Sequence, residues 1–241
     1  FWDEQLSSDD SVACGTCHLP EFGGTDGRTT AAVNPGPDGL FGTADDIRGS
    51  HGVARQAPNG DFAWSPTYGA KRQVTGRNSM TTMGAAWATD LFWDGRASQQ
   101  FDDPETGLLL IPFGGGLESQ AVGPILSSTE MARTGRTWQD VRQKLQAVTP
   151  LRLASNLPGD VQAALQQNPT YPSLFTAAFG DATLTAARIA FAIASYERTL
   201  IPDDTPWDRY MAGQLLALTP AEDRKSTRLN SSHTVISYAV F

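Results

Sequence analysis

Two cysteines and one histidine lie together near the amino end of the chain, in the string Cys14-Gly15-Thr16-Cys17-His18. These are the only 2 cysteines among the 241 residues. The C-x-x-C-H spacing is typical of c-type haem attachment, in which each thiol forms a thioether and the adjacent imidazole binds the iron. We therefore predict covalent haem c, attached at Cys14 and Cys17, with His18 as the proximal iron ligand.

Three other structures are compatible with two cysteines at this spacing: half of a zinc site, a thioredoxin-like redox pair and a structural disulfide. Zinc needs further Cys or His ligands at finger-like spacing, and a redox pair needs a βαβ context. The sequence shows neither. Haem is joined to such motifs outside the reducing cytoplasm, so the motif favours a periplasmic location.

Composition narrows the possible partners. The formal net charge is −8, and 40% of the residues are hydrophobic. Nucleic-acid binders usually carry a basic patch, which argues against such a partner here, whereas an acidic surface suits a basic redox protein. No apolar run approaches the roughly 20 residues needed to cross a bilayer, so we expect no membrane span.

The elements that must hold the haem motif are predicted to be mostly helical. Glycines from Gly23 onward are expected to end the helix that carries His18. Residues 34–50 are rich in Gly, Pro and Asp and predict a long surface loop, in which carboxylates could bind calcium but a solvated loop is the simpler interpretation. Further along, sequence patterns predict four helices. The first helix is capped by Thr137 and Asp140, and the second is capped by Asp160 and ends at Gln167. The third runs from Pro172 to Phe179 and the fourth from Thr183 to Leu200.

Beyond the haem motif, six blocks of sequence resemble the bacterial di-haem cytochrome c peroxidase family, in order and in approximate spacing. The resemblance spans nearly all of residues 1–222. The blocks are FWDEQLSSDDSVACGTCH at 1–18, Arg77-Asn78, LFWDGRA at 91–97, SQAVGP to TEM at 119–131, YERTL at 196–200 and DTPWDRY at 204–210.

The resemblance implies a cytochrome c-like fold and a set of site residues. Glu130, in TEM, matches the family's catalytic glutamate, and Gln120 matches a glutamine that lines the peroxide pocket. A carboxylate can take a proton from one peroxide oxygen and return it to the other, which fits Glu130. Trp93 matches a tryptophan between the two haems, and Asn78 matches an asparagine that contributes to a calcium site, so calcium is a possible second cofactor.

His51 is the candidate for the distal iron ligand that many members of the family use at rest. Three rivals remain open: Tyr68, Met80 and Met83. A histidine on a surface loop, with no role at the iron, is also compatible with the sequence.

The resemblance also implies the domain organisation. We expect a peroxidatic haem domain over residues 1–201 and the start of a second cytochrome c-like domain over 202–222, cut off before a second haem motif. Residues 223–241 resemble the translation of a sequencing adapter, and we expect this tail to be non-native.

The expected activity is reduction of hydrogen peroxide to water, with electrons from a small periplasmic cytochrome or copper protein. A homodimer is common in the family. Two alternatives stay open: a related di-haem enzyme that oxidises aromatic residues of a partner protein, with a tyrosine on the iron, and a plain electron-transfer cytochrome c.

Overall fold

The computed structural model describes residues 1–30 and 33–224. Most of the regular structure is helical, which confirms the predicted fold class. The helices are α1 (Cys14–Cys17), α2 (Gly116–Leu126), α3 (Trp138–Ala147), α4 (Gly159–Gln167), α5 (Tyr171–Phe179), α6 (Ala186–Glu197) and α7 (Pro206–Met211). Short 3₁₀ turns lie at Glu4–Leu6, Pro20–Phe22, Gly27–Thr30 and Ala85–Trp87.

Two small antiparallel hairpins interrupt the loop-rich first half of the chain. Strand β1 (His51–Ala54) pairs with β2 (Arg72–Val74), and β3 (Phe101–Asp102) pairs with β4 (Leu109–Ile111). In the first hairpin His51 lies opposite Val74. The burial of Val53 and Val74 anchors this hairpin to the core.

The described chain divides into two compact units, residues 1–199 and the residues from 200 onward. The first unit has a core in which α2 lies against α6, because both helices turn small or apolar side chains toward each other. Ile125 of α2 and Ala190 of α6 are fully buried there, and Phe101 of β3 packs on Phe191 with 5.8 Å between ring centroids. Within the second unit, α7 begins after its N-cap Thr205, whose hydroxyl accepts a hydrogen bond from the amide of Asp208.

Local sequence signals explain several helix boundaries. The hydroxyl of Thr137 accepts from the amide of Asp140 and the Asp140 carboxylate accepts from the amide of Thr137, so the predicted capping box of α3 is confirmed. Pro172 lies in the first turn of α5, also as predicted.

Three predicted boundaries differ from the structure. α4 is preceded by Pro158, and Asp160 lies inside its first turn instead of capping it. α6 is shorter than predicted, because Thr185 caps its start and the helix ends at Glu197. The helix of the haem motif ends at His18, and Gly23 instead terminates the separate turn Pro20–Phe22 in a left-handed conformation (φ 68°).

Within the described residues, no helix has both the length and the apolar character needed to cross a bilayer. The predicted adapter-like tail lies outside the described residues from position 225 onward.

Candidate functional site

The two cysteines of the C-x-x-C-H string lie on α1, and the histidine ends that helix. Both thiols are half-buried and neither is in a disulfide. Burial raises the pKa of Cys14, and burial together with the charge of Asp26 raises the pKa of Cys17 to about 11. Both side chains are therefore neutral thiols at neutral pH.

The ring of His18 is held in one orientation by the loop that follows it. Its Nδ1 donates to the carbonyl oxygen of Gly24 at 2.9 Å, which leaves Nε2 as the ring nitrogen with a lone pair for a metal. Burial lowers the pKa of His18, so the imidazole stays neutral, as a metal ligand must be. These features fit covalent haem with His18 as axial ligand.

An ion pair between the buried Asp26 and the half-buried Arg28 supports the haem motif. The guanidinium of Arg28 donates to the Asp26 carboxylate at 2.7 and 2.8 Å and to the Thr16 carbonyl at 2.6 Å. Burial by itself would raise the pKa of Asp26, but the hydrogen bonds from Arg28 outweigh it and lower that pKa. An ionised Asp26 therefore fixes Arg28 against the middle of the C-x-x-C segment.

Strand β1 connects the haem motif to the segment that carries Glu130. The Cys17 thiol lies 3.4 Å from the carbonyl oxygen of His51. Two residues further along the strand, the amide of Val53 donates to the Glu130 carbonyl at 2.9 Å. Three consecutive residues of one strand thus join Cys17 to Glu130, although these positions are far apart in sequence.

Gly52 lies between those two contacts and allows the close approach. A Cβ at this position would be 1.6 Å from the carbonyl oxygen of Thr129 and 3.2 Å from the Cα of Glu130. Only glycine lets the strand lie this close to the Glu130 turn.

The turn itself is tightly hydrogen-bonded. The Ser127 carbonyl accepts from the amides of Glu130, Met131 and Ala132 at 2.9 to 3.1 Å. The Met131 carbonyl accepts from the amide of Ser8 at 2.8 Å and from the Arg136 guanidinium at 3.2 Å. The backbone that carries Glu130 is therefore fixed on both sides.

The Glu130 carboxylate is half-buried, and its negative charge acts on the haem motif. It contributes to raising the pKa of Cys14 and of Cys17, and it favours the charged form of His18. The structure therefore places Glu130 within electrostatic range of all three predicted haem-attachment residues.

Gln120 lies on α2 in a half-buried position. Among residues 1–30 and 33–224 its side chain has no hydrogen-bond partner, so the amide is available to a ligand. Pro124 follows four residues later and has no amide hydrogen, so the Gln120 carbonyl also lacks its usual helical donor.

His51 opens β1, and its side chain is half-buried. Its Nδ1 is buried without a hydrogen-bond partner in the described part of the chain. Burial and then the nearby charges of Arg28 and Arg72 lower its pKa, which favours the neutral ring. His51 also borders an open cavity of about 500 Å³ that Asp9 and Phe62 line as well.

The three rivals of His51 have different surroundings. The hydroxyl of Tyr68 donates to the Val74 carbonyl at 3.2 Å. The backbone of Met80 lies beside the His18 ring, where it favours the charged form, and Met83 is exposed.

Trp93 and Asn78 lie on the surface. The indole of Trp93 is 76% exposed, and the Arg77 guanidinium stacks 5.1 Å from its ring centroid. Arg77 also pairs with Asp94 at 3.2 Å. Asn78 is exposed, and the described residues contain no cluster of three or more His, Cys, Asp or Glu side chains that could hold a metal.

Sequence reasoning assigned no role to Gly52 or to Arg136. Arg136 is buried and donates to the carbonyls of Leu6, Ile125 and Met131 at 2.7, 3.3 and 3.2 Å. The only local signal was the His-Gly dipeptide at 51–52, because a glycine beside a candidate ligand can mark a close backbone approach.

Comparison with known proteins gives a consistent result. The family model described as "Di-haem cytochrome c peroxidase" matches residues 1–215. A methylamine utilization protein MauG of Methylophilus methylotrophus is 29% identical, over 93% of this chain and 44% of its own length. The cytochrome c peroxidase Ccp of Escherichia coli K12 is 26% identical, over 95% and 33%, and the cytochrome c551 peroxidase of Pseudomonas aeruginosa is 27% identical, over 95% and 44%.

A solved MauG-like protein associated with microbial copper homeostasis aligns with a TM-score of 0.49 at 21% identity, over 93% of this chain and 44% of that one. The chain thus spans less than half the length of the relatives it matches.

Proposed function

The chain belongs to the di-haem cytochrome c peroxidase family, and from that premise we propose that residues 1–201 form a peroxidatic haem domain that reduces hydrogen peroxide to water. The observation that supports this most directly is β1, which contacts Cys17 through His51 and Glu130 through Val53. The strand links the haem motif to the backbone of Glu130, the proposed acid-base residue, and a plain electron carrier does not need such a residue. Haem c is the cofactor that the family implies.

Cys14 and Cys17 would hold the haem through thioethers, and His18 would bind its iron through Nε2. When bound, the haem supplies the electrons that break the O–O bond of peroxide. Glu130 takes the proton from one peroxide oxygen and returns it to the departing oxygen. This transfer requires that the Glu130 carboxylate is ionised before the reaction. The free amide of Gln120 orients the peroxide by hydrogen bonding.

The complete reaction consumes one peroxide, two electrons and two protons and yields two waters. We propose that the electrons come one at a time from a small periplasmic cytochrome or copper protein. The net negative charge of this chain would attract a basic donor of that kind. Trp93, with its exposed indole, is the proposed residue for electron transfer from a second haem domain to this one. Because no second C-x-x-C-H is present in these 241 residues, this chain by itself is expected to bind haem and show little donor-dependent turnover.

His51 is the proposed distal ligand, since its neutral ring has a buried nitrogen with no partner. Asn78 is the proposed contributor to a calcium site. Periplasmic location and homodimer formation are further proposals that follow from the family.

A second function is supported by the MauG relatives, one of which is 29% identical. In that case the domain would belong to an enzyme that oxidises aromatic residues of a partner protein, and Tyr68 would be the axial ligand. The hydrogen bond from Tyr68 to the Val74 carbonyl would then have to break. Absorption spectra of the haem-loaded chain distinguish tyrosine ligation from histidine ligation.

The test of the peroxidase proposal is the reaction of the haem-loaded chain with hydrogen peroxide, followed by stopped-flow absorption. We expect Glu130→Gln to bind the same amount of haem and to slow the reaction about 100-fold to 10,000-fold, the range for loss of a general acid-base group. Glu21→Gln is the matched control, because Glu21 is an exposed glutamate close to His18. Equal rates in Glu130→Gln and the wild type would refute the assignment of Glu130.

A further inference from the structure

A second carboxylate lies in the core near the haem motif and is not used by the proposed mechanism. Glu197 is the last residue of α6 and is only 4% exposed. Its Oε2 is buried without a hydrogen-bond partner in the described part of the chain. Ionising a buried carboxyl group with an unpartnered oxygen carries a large desolvation free energy, which favours the protonated form of Glu197.

The neighbouring arginine does not pair with Glu197. Arg198 donates both terminal nitrogens to Glu118, at 2.6 and 2.9 Å, and one of them also to the Gly114 carbonyl at 3.3 Å. Glu118 is itself buried. The Arg198 guanidinium is therefore paired with Glu118 and not with Glu197. The negative charge of Glu118 also acts on Glu197.

The end of α6 reaches the haem-attachment helix through a cluster of aromatic rings. Tyr196 lies 4.9 Å from Phe1 and 6.1 Å from Trp2, measured between ring centroids. The Phe1 ring lies 6.3 Å from that of His18, and the Phe1 carbonyl accepts from the Gly15 amide at 3.2 Å. The charge of Glu197 raises the pKa of the Cys14 thiol, so Glu197 and the haem motif interact electrostatically.

Three charged groups act together with burial on Glu197. Burial raises its pKa to about 7, and the charge of Glu118 adds to that increase. The amino group of Phe1 and the guanidinium of Arg198 act in the opposite direction. Cys14, whose own pKa the charge of Glu197 raises, becomes an uncharged thioether once haem is attached.

We propose that Glu197 is a proton-binding site coupled to reduction of the haem iron. With haem bound, one-electron reduction by an external reductant would remove one unit of positive charge from the iron. The Glu197 carboxylate would then lose the attraction of that charge and take one proton from water, which forms an O–H bond on the carboxyl group. The inference rests on haem attachment at Cys14 and Cys17, as in the proposed function.

The experiment is a redox titration of the haem-loaded chain, followed by absorption at several pH values on both sides of 7. For a one-electron couple, each tenfold change in proton concentration shifts the midpoint potential by up to about 59 mV when one proton is taken up. We expect this slope around pH 7 in the wild type and a clearly smaller slope in Glu197→Gln. Glu21→Gln, which removes an exposed carboxylate near the haem motif, should keep the wild-type slope.

Haem propionates are present in every variant, so the difference between variants isolates Glu197. Equal slopes in the wild type and Glu197→Gln would overturn the inference while leaving haem attachment intact. A colourless protein would overturn haem attachment and the inference with it.

A second measurement does not depend on the folding of the variant. Infrared difference spectra of the wild type, reduced minus oxidised, should contain the carbonyl stretch of a newly protonated carboxylic acid, shifted in heavy water. The absence of such a band would overturn the proposal even if Glu197→Gln cannot be prepared.

Discussion

The contact between Gly52 and the Glu130 turn can be tested by adding a single methyl group. In Gly52→Ala the new Cβ would lie 1.6 Å from the Thr129 carbonyl oxygen, whereas Cβ atoms approach other atoms to no closer than 3.0 Å. Strand β1 and the turn must therefore separate by about 1.4 Å. The Cβ would also meet the Thr129 carbonyl carbon at 2.8 Å, so a side-chain rotation cannot relieve the clash.

The substitution should lower both the free energy of unfolding and the rate of reaction with peroxide. Overpacking costs about 1–3 kcal/mol, and loss of the 2.9 Å bond from the Val53 amide to the Glu130 carbonyl adds about 1 kcal/mol. We therefore expect the free energy of unfolding to fall by about 2–4 kcal/mol. A displacement near 1 Å of a catalytic group can cost about 100-fold in rate, so the reaction with peroxide should slow by about that factor.

The assay combines urea unfolding, haem content and stopped-flow reaction with peroxide. Haem content should stay unchanged, because Cys14, Cys17 and His18 are untouched. Gly76→Ala is the matched control, since a Cβ at Gly76 meets no atom within 4 Å. A Gly52→Ala protein that reacts with peroxide at the wild-type rate would refute the claim that β1 positions Glu130.

Three further predictions concern haem attachment and the buried charges. Changing both Cys14 and Cys17 to serine should abolish covalent haem, measured as haem that stays with the chain after denaturation, whereas each single variant should keep one thioether. Covalent haem in the double variant would contradict the motif assignment. Glu118→Gln should lower the free energy of unfolding in urea by about 2 kcal/mol, less than for a fully buried pair because the Arg198 side chain is 39% exposed. Asp181→Asn, which breaks a surface pair with Arg188, should lower the free energy of unfolding clearly less, and an equal decrease for both variants would be inconsistent with this reasoning. The pKa of Glu197 is raised from 4.5 to about 7 in the folded chain, so its protonation contributes fully to stability below pH 4.5. This contribution decreases as the pH rises toward 7, by about 3 kcal/mol in total, and is then constant. Urea unfolding across this pH range should show the decrease in the wild type and not in Glu197→Gln.

The mostly helical fold and several of its boundaries were predictable, because they depend on residues close together in the chain. Thr137 and Asp140 cap α3 through each other, and Pro172 fits the first turn of α5. The prediction was wrong at Asp160, because Pro158 precedes α4 and lets the helix begin before the aspartate. Helix ends were predicted least well, since the end of α6 depends on tertiary contacts such as the pairing of Arg198 with Glu118 on α2.

For the candidate site, the sequence by itself predicted Cys14, Cys17 and His18 as the haem-attachment residues, because two thiols and an imidazole at that spacing on one helical turn are a local arrangement. It named Glu130 and His51 only through family resemblance. Tertiary structure decided that β1 contacts Cys17 on one side and the Glu130 turn on the other, that Gly52 must lack a side chain, and that Glu197 is buried without a partner. These features join residues that are about 35 to 180 positions apart in the chain, and no local pattern records such contacts, because burial and charge depend on packing of the whole unit.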